Sequence, residues 1–192
     1  MKTIGSIGLG AMGGSYAKFL IEDNYKVYGV DPDTQNAEIF ISLGVVLLNK
    51  NSDLIDKSDV IILSLPTVPI FKEVINEIEI NGKSNEPKIL IDMNTISLDD
   101  KIETKNKLEK LNISMVDAPV SGTGAQAKVK DIVVMSSGDK TIVNECDDIF
   151  RSFSKQNIYV GDFGNGIKFK ILANLLVTVH NTVTAEALLL GQ

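Results

Sequence analysis

Gly8-Leu9-Gly10-Ala11-Met12-Gly13 is a Gly-x-Gly-x-x-Gly run, a spacing that suits a backbone folded tightly under a pyrophosphate. The first glycine permits the turn, the second lets the backbone approach the phosphates, and the third lets a helix lie close on its strand. Phosphate oxygens would then meet the N–H groups of a helix N-terminus. Spacing alone also fits a glycine-rich turn without a ligand, so the surroundings decide. Asp31 ends the next apolar run, 23 residues after Gly8, where a carboxylate can accept hydrogen bonds from adenosine ribose hydroxyls. It would repel a 2′-phosphate, and Pro32 and Asp33 supply no compensating cation. The pattern therefore favours NAD over NADP.

Two further groups could do chemistry. Ser121, Gly122 and Thr123 follow a strand-like run, at the edge where α/β sheets bind ligands, and a glycine-containing turn can offer successive N–H groups to an anion such as a substrate carboxylate. A tight turn closed by a hydroxyl is the alternative reading. Lys170 and Asn174 stand four apart in a helical stretch, so they share one face. Taken alone, Lys170 reads more readily as a surface lysine with its stem laid along apolar neighbours.

The elements that must position these groups alternate. Thr3–Gly8 reads as a buried strand, Ala11–Asp23 as a helix with Met12, Tyr16, Phe19 and Leu20 at helical spacing, and Lys26–Val30 as the next strand. Asp33 or Thr34 can cap a helix running to about Leu43. Further strands are expected at Val45–Leu48, Val60–Leu65, Ile89–Ile91, Met115–Val116, Ile132–Met135 and Ile158–Val160, with a polar surface loop at Asn81–Pro87. Strands alternating with helices imply parallel βαβ units covered on both faces. The expectation is a doubly wound, mostly parallel Rossmann-type α/β sheet with extra strands.

From Ile167 to Leu190 no Gly or Pro interrupts the chain, so a helix of about 35 Å is expected at 1.5 Å per residue. Lys168, Lys170, Asn174, His180, Asn181 and Glu186 read as too polar for a membrane span. Yet the stretch is apolar on several faces and must be buried on several sides. A missing part of the chain or a second subunit should pack there, so the expected organisation is a nucleotide-binding domain over 1–163 followed by a long helix over 164–192, the site of homo-oligomerisation where a second subunit covers it.

Four stretches in order resemble the 3-hydroxyisobutyrate dehydrogenase branch of the β-hydroxyacid dehydrogenase family, which is related to 6-phosphogluconate dehydrogenase. They are the glycine run with its Met12, Leu65-Pro66-Thr67, Asp117-Ala118-Pro119-Val120-Ser121-Gly122, and Gly164-x-Gly166-x-x-x-Lys170-x-x-x-Asn174. Departures fall at Thr123, Gln126 and Lys130, which replace glycines, at Asn94, which replaces a serine beside Thr95, and at Ala173, which replaces the first of two asparagines. The resemblance implies that Leu65, Pro66, Thr67, Asn94 and Thr95 pass the cofactor with Leu9 and Ala11. It also implies that Ser121, Gly122 and Thr123 hold a small carboxylate substrate, that Lys170 is the general acid/base, and that Asn174 orients the substrate. It further implies that the helix over 164–192 is the first of an otherwise missing all-α domain, and that the reaction is hydride transfer between NAD and a small β-hydroxyacid or its semialdehyde. Decarboxylating 6-phosphogluconate chemistry and a non-catalytic nucleotide-binding or oligomerisation module are the alternatives.

Composition narrows the classes further. The 192 residues are 44% apolar and 23% charged with a net charge of −6, enough for a sizeable core and unsuited to nucleic acid or an anionic membrane. Lys128 and Lys130 form a local basic pair too small to make such a surface. Cys146, the single cysteine, reads as structural, and a cytoplasmic setting is expected. His180 reads as packed or partner-facing, and no cluster has metal-ligand spacing, so no metal is expected.

Overall fold

The structure, a computed structural model, describes residues 2–82 and 86–192, with only the backbone described for 34–37. The centre of the Asn81–Pro87 loop and the side chain of Thr34 thus lie outside the described residues. In chain order the elements are β1 (Thr3–Ile7), α1 (Gly13–Glu22), β2 (Lys26–Val30), α2 (Thr34–Leu43), β3 (Val46–Leu47), α3 (Asn51–Lys57), β4 (Val60–Leu63), α4 (Val68–Asn81) and β5 (Lys88–Asp92). There follow α5 (Leu98–Glu109), β6 (Ile113–Asp117), β7 (Val120–Ser121), α6 (Gly124–Ala127), β8 (Val133–Ser136), α7 (Lys140–Glu145), α8 (Asp147–Phe153), β9 (Gln156–Tyr159) and α9 (Asn165–Leu190).

Among the described residues a six-stranded sheet runs in the order β3-β2-β1-β4-β5-β6, every pair parallel. This is the Rossmann order, with its switch point between β1 and β4. Along β4, Val60 and Ile62 face the core shared with α1 and α8, while Ile61 and Leu63 face the one under α3, α4 and α5. Burial on both faces is why this strand is an unbroken apolar run. The extra strands form a second sheet, β7-β8-β9. An Asp117–Ser137 bridge joins it to the end of β6.

The helices start where chemistry allows. The Ser97 hydroxyl accepts from the Asp100 N–H at the start of α5, whose first turn carries Asp99 and Asp100, acids that suit the positive end of a helix. The Tyr16 ring of α1 meets Phe153 of α8 at 4.5 Å between centroids. Buried Cys146 lies in the same core, and burial pushes its thiol up to about 12, away from the reactive thiolate.

Three expectations need adjustment. Strand β9 starts at Gln156 rather than Ile158 because this edge strand is mostly exposed and lacks apolar alternation. The two-residue strand β7 is too short to show a periodicity. Helix α9, whose polar residues argue against a membrane span, is long and apolar enough by length and composition to cross one, since those polar groups are diluted over 26 residues. Only Gly166 and Ile167 of this helix are buried. Leu175, Leu176, Val177, Leu188, Leu189 and Leu190 are all more than half exposed, and His180 is exposed beside them.

Candidate dinucleotide and substrate site

The glycine turn joins β1 to α1. Gly8 has φ +88, and a Cβ there would sit 2.2 Å from the Ser64 carbonyl oxygen; one on Gly13 would sit 2.0 Å from the Gly8 carbonyl oxygen. Those two glycines serve the fold. Gly10 differs, since a Cβ there would meet nothing within 4 Å. The open space over Gly10 lies at the start of α1, the positive end of that helix.

That space belongs to a cavity of about 940 Å³. Gly8, Gly10, Ala11, Met12 and Gly13 line it on one side, with Asp31, Leu65 and Pro66 beside them. Ile70, Val74 and Glu77 of α4 line it as well, with Asn49 and Asn51. The Asp31 carboxylate accepts from the Leu9 N–H at 2.6 Å and the Asp33 N–H at 2.8 Å. An ionised carboxylate has about four acceptor positions, so ribose hydroxyls can still bond to it. These residues fit a dinucleotide: open backbone for the pyrophosphate, an acid for the ribose, and apolar walls.

Other predicted residues act one step behind this wall. Asn94 is buried, donates its side-chain amide to Asp92 Oδ1 at 2.7 Å and the Leu63 carbonyl at 3.2 Å, and accepts from the Leu65 N–H at 2.6 Å. It therefore fixes the Leu65-Pro66 turn and does not line the cavity. Thr67 caps α4 by accepting from the Ile70 N–H at 3.4 Å, and Thr95 is exposed outside the cavity.

The predicted substrate turn lies against the glycine turn: a Cβ on Gly124 would be 3.5 Å from the Ala11 Cβ. Ser121 is exposed, and Gly122 has φ +143 with Ile132 packed against it. Thr123 has a different occupation from the anion binding expected of it. Its N–H donates to Gln126 Oε1 at 3.0 Å and its hydroxyl accepts from the Gln126 N–H at 3.3 Å, a capping box that starts α6. The Thr-x-x-Gln spacing carried that signal, and it leaves exposed Ser121 and half-buried Gly122 as the part of the turn outside that box.

Helix α9 starts from the C-terminal edge of the sheet. Gly164, with φ +89, is its N-cap. Gly166 is held tightly, since a Cβ there would come within 2.5 Å of the Met135 carbonyl oxygen and 2.8 Å of Asp117 Oδ2. The Gly166 N–H donates to Ser137 Oγ at 2.9 Å, and the Ile167 N–H to Asp117 Oδ2 at 2.9 Å. Lys170 follows one turn later, half-buried, and burial lowers its pKa below the ordinary lysine value. Asn174, another turn on, is exposed, and neither residue lines the dinucleotide cavity.

Lys101 carried no signal on its exposed-looking helix, yet it is wholly buried between Asp92 at 2.5 Å and Asp117 at 2.9 Å. Burial pushes its ammonium pKa down, but the two carboxylates outweigh that and hold it above the ordinary value. Among the described residues no group of three or more His, Cys, Asp or Glu is placed to hold a metal ion.

Residues 3–161 match the family described as the NAD binding domain of 6-phosphogluconate dehydrogenase. The chain belongs to that family. Within it, 2-(hydroxymethyl)glutarate dehydrogenase of Eubacterium barkeri is 30% identical over 98% of this chain and 63% of its own length. Mitochondrial 3-hydroxyisobutyrate dehydrogenase of Bos taurus is 32% identical over 98% of this chain and 56% of its own. The solved structure of Mycobacterium tuberculosis 3-hydroxyisobutyrate dehydrogenase with L-serine matches at a TM-score of 0.91 and 27% identity, over 97% of this chain and 64% of that one. The chain spans less than two thirds of the length of the curated relatives it matches. Its relationship to hydroxyacid dehydrogenases rests on the NAD(P)-binding domain and the helix after it.

Proposed function

We propose that the chain binds NAD and works in the oxidation of a small β-hydroxyacid, or the reduction of the matching semialdehyde, of the 3-hydroxyisobutyrate type. The observation that carries this reading is a half-buried lysine with a lowered pKa on the helix docked at the sheet's C-terminal edge. The glycine turn and Asp31 would hold the dinucleotide, whose nicotinamide supplies the hydride chemistry when bound. Asp31, with no cation beside it in sequence, favours NAD over NADP.

In oxidation the substrate hydroxyl gives its proton to the neutral amine of Lys170. In reduction the same Nζ, as ammonium, returns a proton to the carbonyl oxygen. A lowered pKa moves Lys170 toward the neutral amine that a general base needs. Asn174 orients the substrate, while Ser121 and Gly122 meet its carboxylate, with Thr123 shaping the turn. L-serine in the Mycobacterium tuberculosis structure is itself a small hydroxyacid, which supports this substrate class. Exposed apolar faces on α9 support homo-oligomerisation through that helix, and a buried, unpaired Cys146 is compatible with a cytoplasmic setting.

The test couples an NADH fluorescence titration to a turnover assay on small β-hydroxyacids. Lys170→Ala should lower kcat by about a thousandfold while NADH affinity stays within about threefold. Turnover retained in that variant overturns the role of Lys170. NADH binding without turnover of any hydroxyacid by the parent chain would favour a non-catalytic module.

A further inference from the structure

The C-terminal ends of β5 and β6 bring two carboxylates side by side, because Asp92 and Asp117 are register partners on neighbouring parallel strands. Both side chains are fully buried, as is Lys101, whose Nζ contacts each of them. Asp92 uses its other oxygen, Oδ1, to accept from the Asn94 N–H and side-chain amide, and Asn94 in turn accepts from Leu65 of the dinucleotide cavity. Asp117 uses its other oxygen, Oδ2, to accept from the Ser137 hydroxyl and the Ile167 N–H. A continuous polar chain thus runs from the cofactor turn, through Lys101, to the first turn of the helix that carries Lys170.

Two adjacent buried carboxylates cannot both stay ionised without a cation between them. Lys101 places its ammonium between the two carboxylates, and the positive end of α9 lies against Asp117. We infer that Lys101 is a positioning residue: by bridging Asp92 and Asp117 it sets the Lys170 helix in register with the Leu65 cofactor turn. It touches neither substrate nor cofactor. The inference rests on the hydride-transfer reading above only for its effect on rate; the anchoring itself stands on the geometry.

The experiment uses the full-length protein with Lys101→Met alone and with Asp92→Asn added. In the double variant the carboxamide introduced at position 92 can keep its oxygen toward Asn94 and donate its N–H to Asp117, restoring a bridge without the buried cation. In Lys101→Met, amide exchange at Gly166 and Ile167 should rise at least about tenfold relative to β1 and β4. In the same variant kcat should fall about tenfold to a hundredfold, with NADH affinity within about threefold and the acid limb of the pH–rate profile displaced toward the ordinary lysine value. The double variant should recover both exchange protection and kcat to within about threefold of the parent.

A folded Lys101→Met protein with parental exchange at Gly166 and Ile167 overturns the inference, as does one with loosened amides but parental kcat. If Lys101→Met does not fold, the double variant decides: folded with near-parental protection and kcat it supports the bridge, and unfolded or slow it refutes it. Absence of turnover in the parent, with the exchange changes intact, refutes the hydride-transfer reading and leaves the anchoring standing.

Discussion

Gly10 and Gly13 belong to one motif but answer to different constraints. A Cβ on Gly13 would meet backbone, while one on Gly10 would enter the open cavity. Gly13→Ala is therefore expected to cost about 2–4 kcal/mol of stability, because backbone cannot move aside cheaply. Gly10→Ala should leave the melting temperature nearly unchanged and weaken NADH binding about tenfold or more, as the methyl group occupies phosphate space. Calorimetry and fluorescence titration of the two variants check both outcomes. Lys170 makes a second prediction at this scale. Its folded pKa lies below the ordinary 10.5, so between those values the unfolded chain binds more protons and stability rises with pH. On the acid side of that window the half-buried charge opposes folding. Lys170→Met should raise Tm at neutral pH, with the gain shrinking as pH approaches 10.5; calorimetry across that range reads it.

At the scale of elements, short pieces of regular structure depend on single side chains. Helix α6 is one turn long and starts on the Thr123–Gln126 capping box, so Thr123→Ala should cost about 1 kcal/mol. Denaturant unfolding measures that loss, and NADH affinity should stay within about twofold, since Thr123 does not line the dinucleotide cavity. Most elements were legible in the sequence because their residues repeat with the right period: β4 as an apolar run, α1 from Tyr16, Phe19 and Leu20. The exceptions have a common physical reason. Strands β7 and β9 are held by neighbours in the second sheet, and a strand stabilised by pairing at an edge needs no apolar alternation of its own. Helix α5 likewise hid Lys101, because a lysine among Asp99, Asp100 and Glu103 has the local pattern of a solvated face.

At the scale of the whole molecule, α9 is the feature that the rest of the described chain does not complete. Its first turn is fixed by Asp117 and Ser137, while most of its remaining length is apolar and exposed. Contiguous apolar surface of this kind marks an association face. The chain of these 192 residues is expected to self-associate, and Leu175→Lys with Leu189→Lys should shift it toward monomer in sedimentation at micromolar concentration. Unchanged sedimentation would remove homo-oligomerisation through α9.

The sequence by itself determined the alternation of strands and helices, the glycine turn, the acid at the end of β2 and the presence of a long terminal helix. Each of these is written in residues close together along the chain, where period and spacing are direct consequences of backbone geometry. Tertiary structure alone decided which polar groups are free and which are spent. Asp31 reaches back to Leu9, Asn94 supports Leu65, Thr123 pairs with Gln126, and Lys101 sits between Asp92 and Asp117. Except for the Thr123 box, these partners come from separate parts of the chain. Only parallel strand pairing brings the two carboxylates into register, and only burial makes a bridging lysine necessary between them.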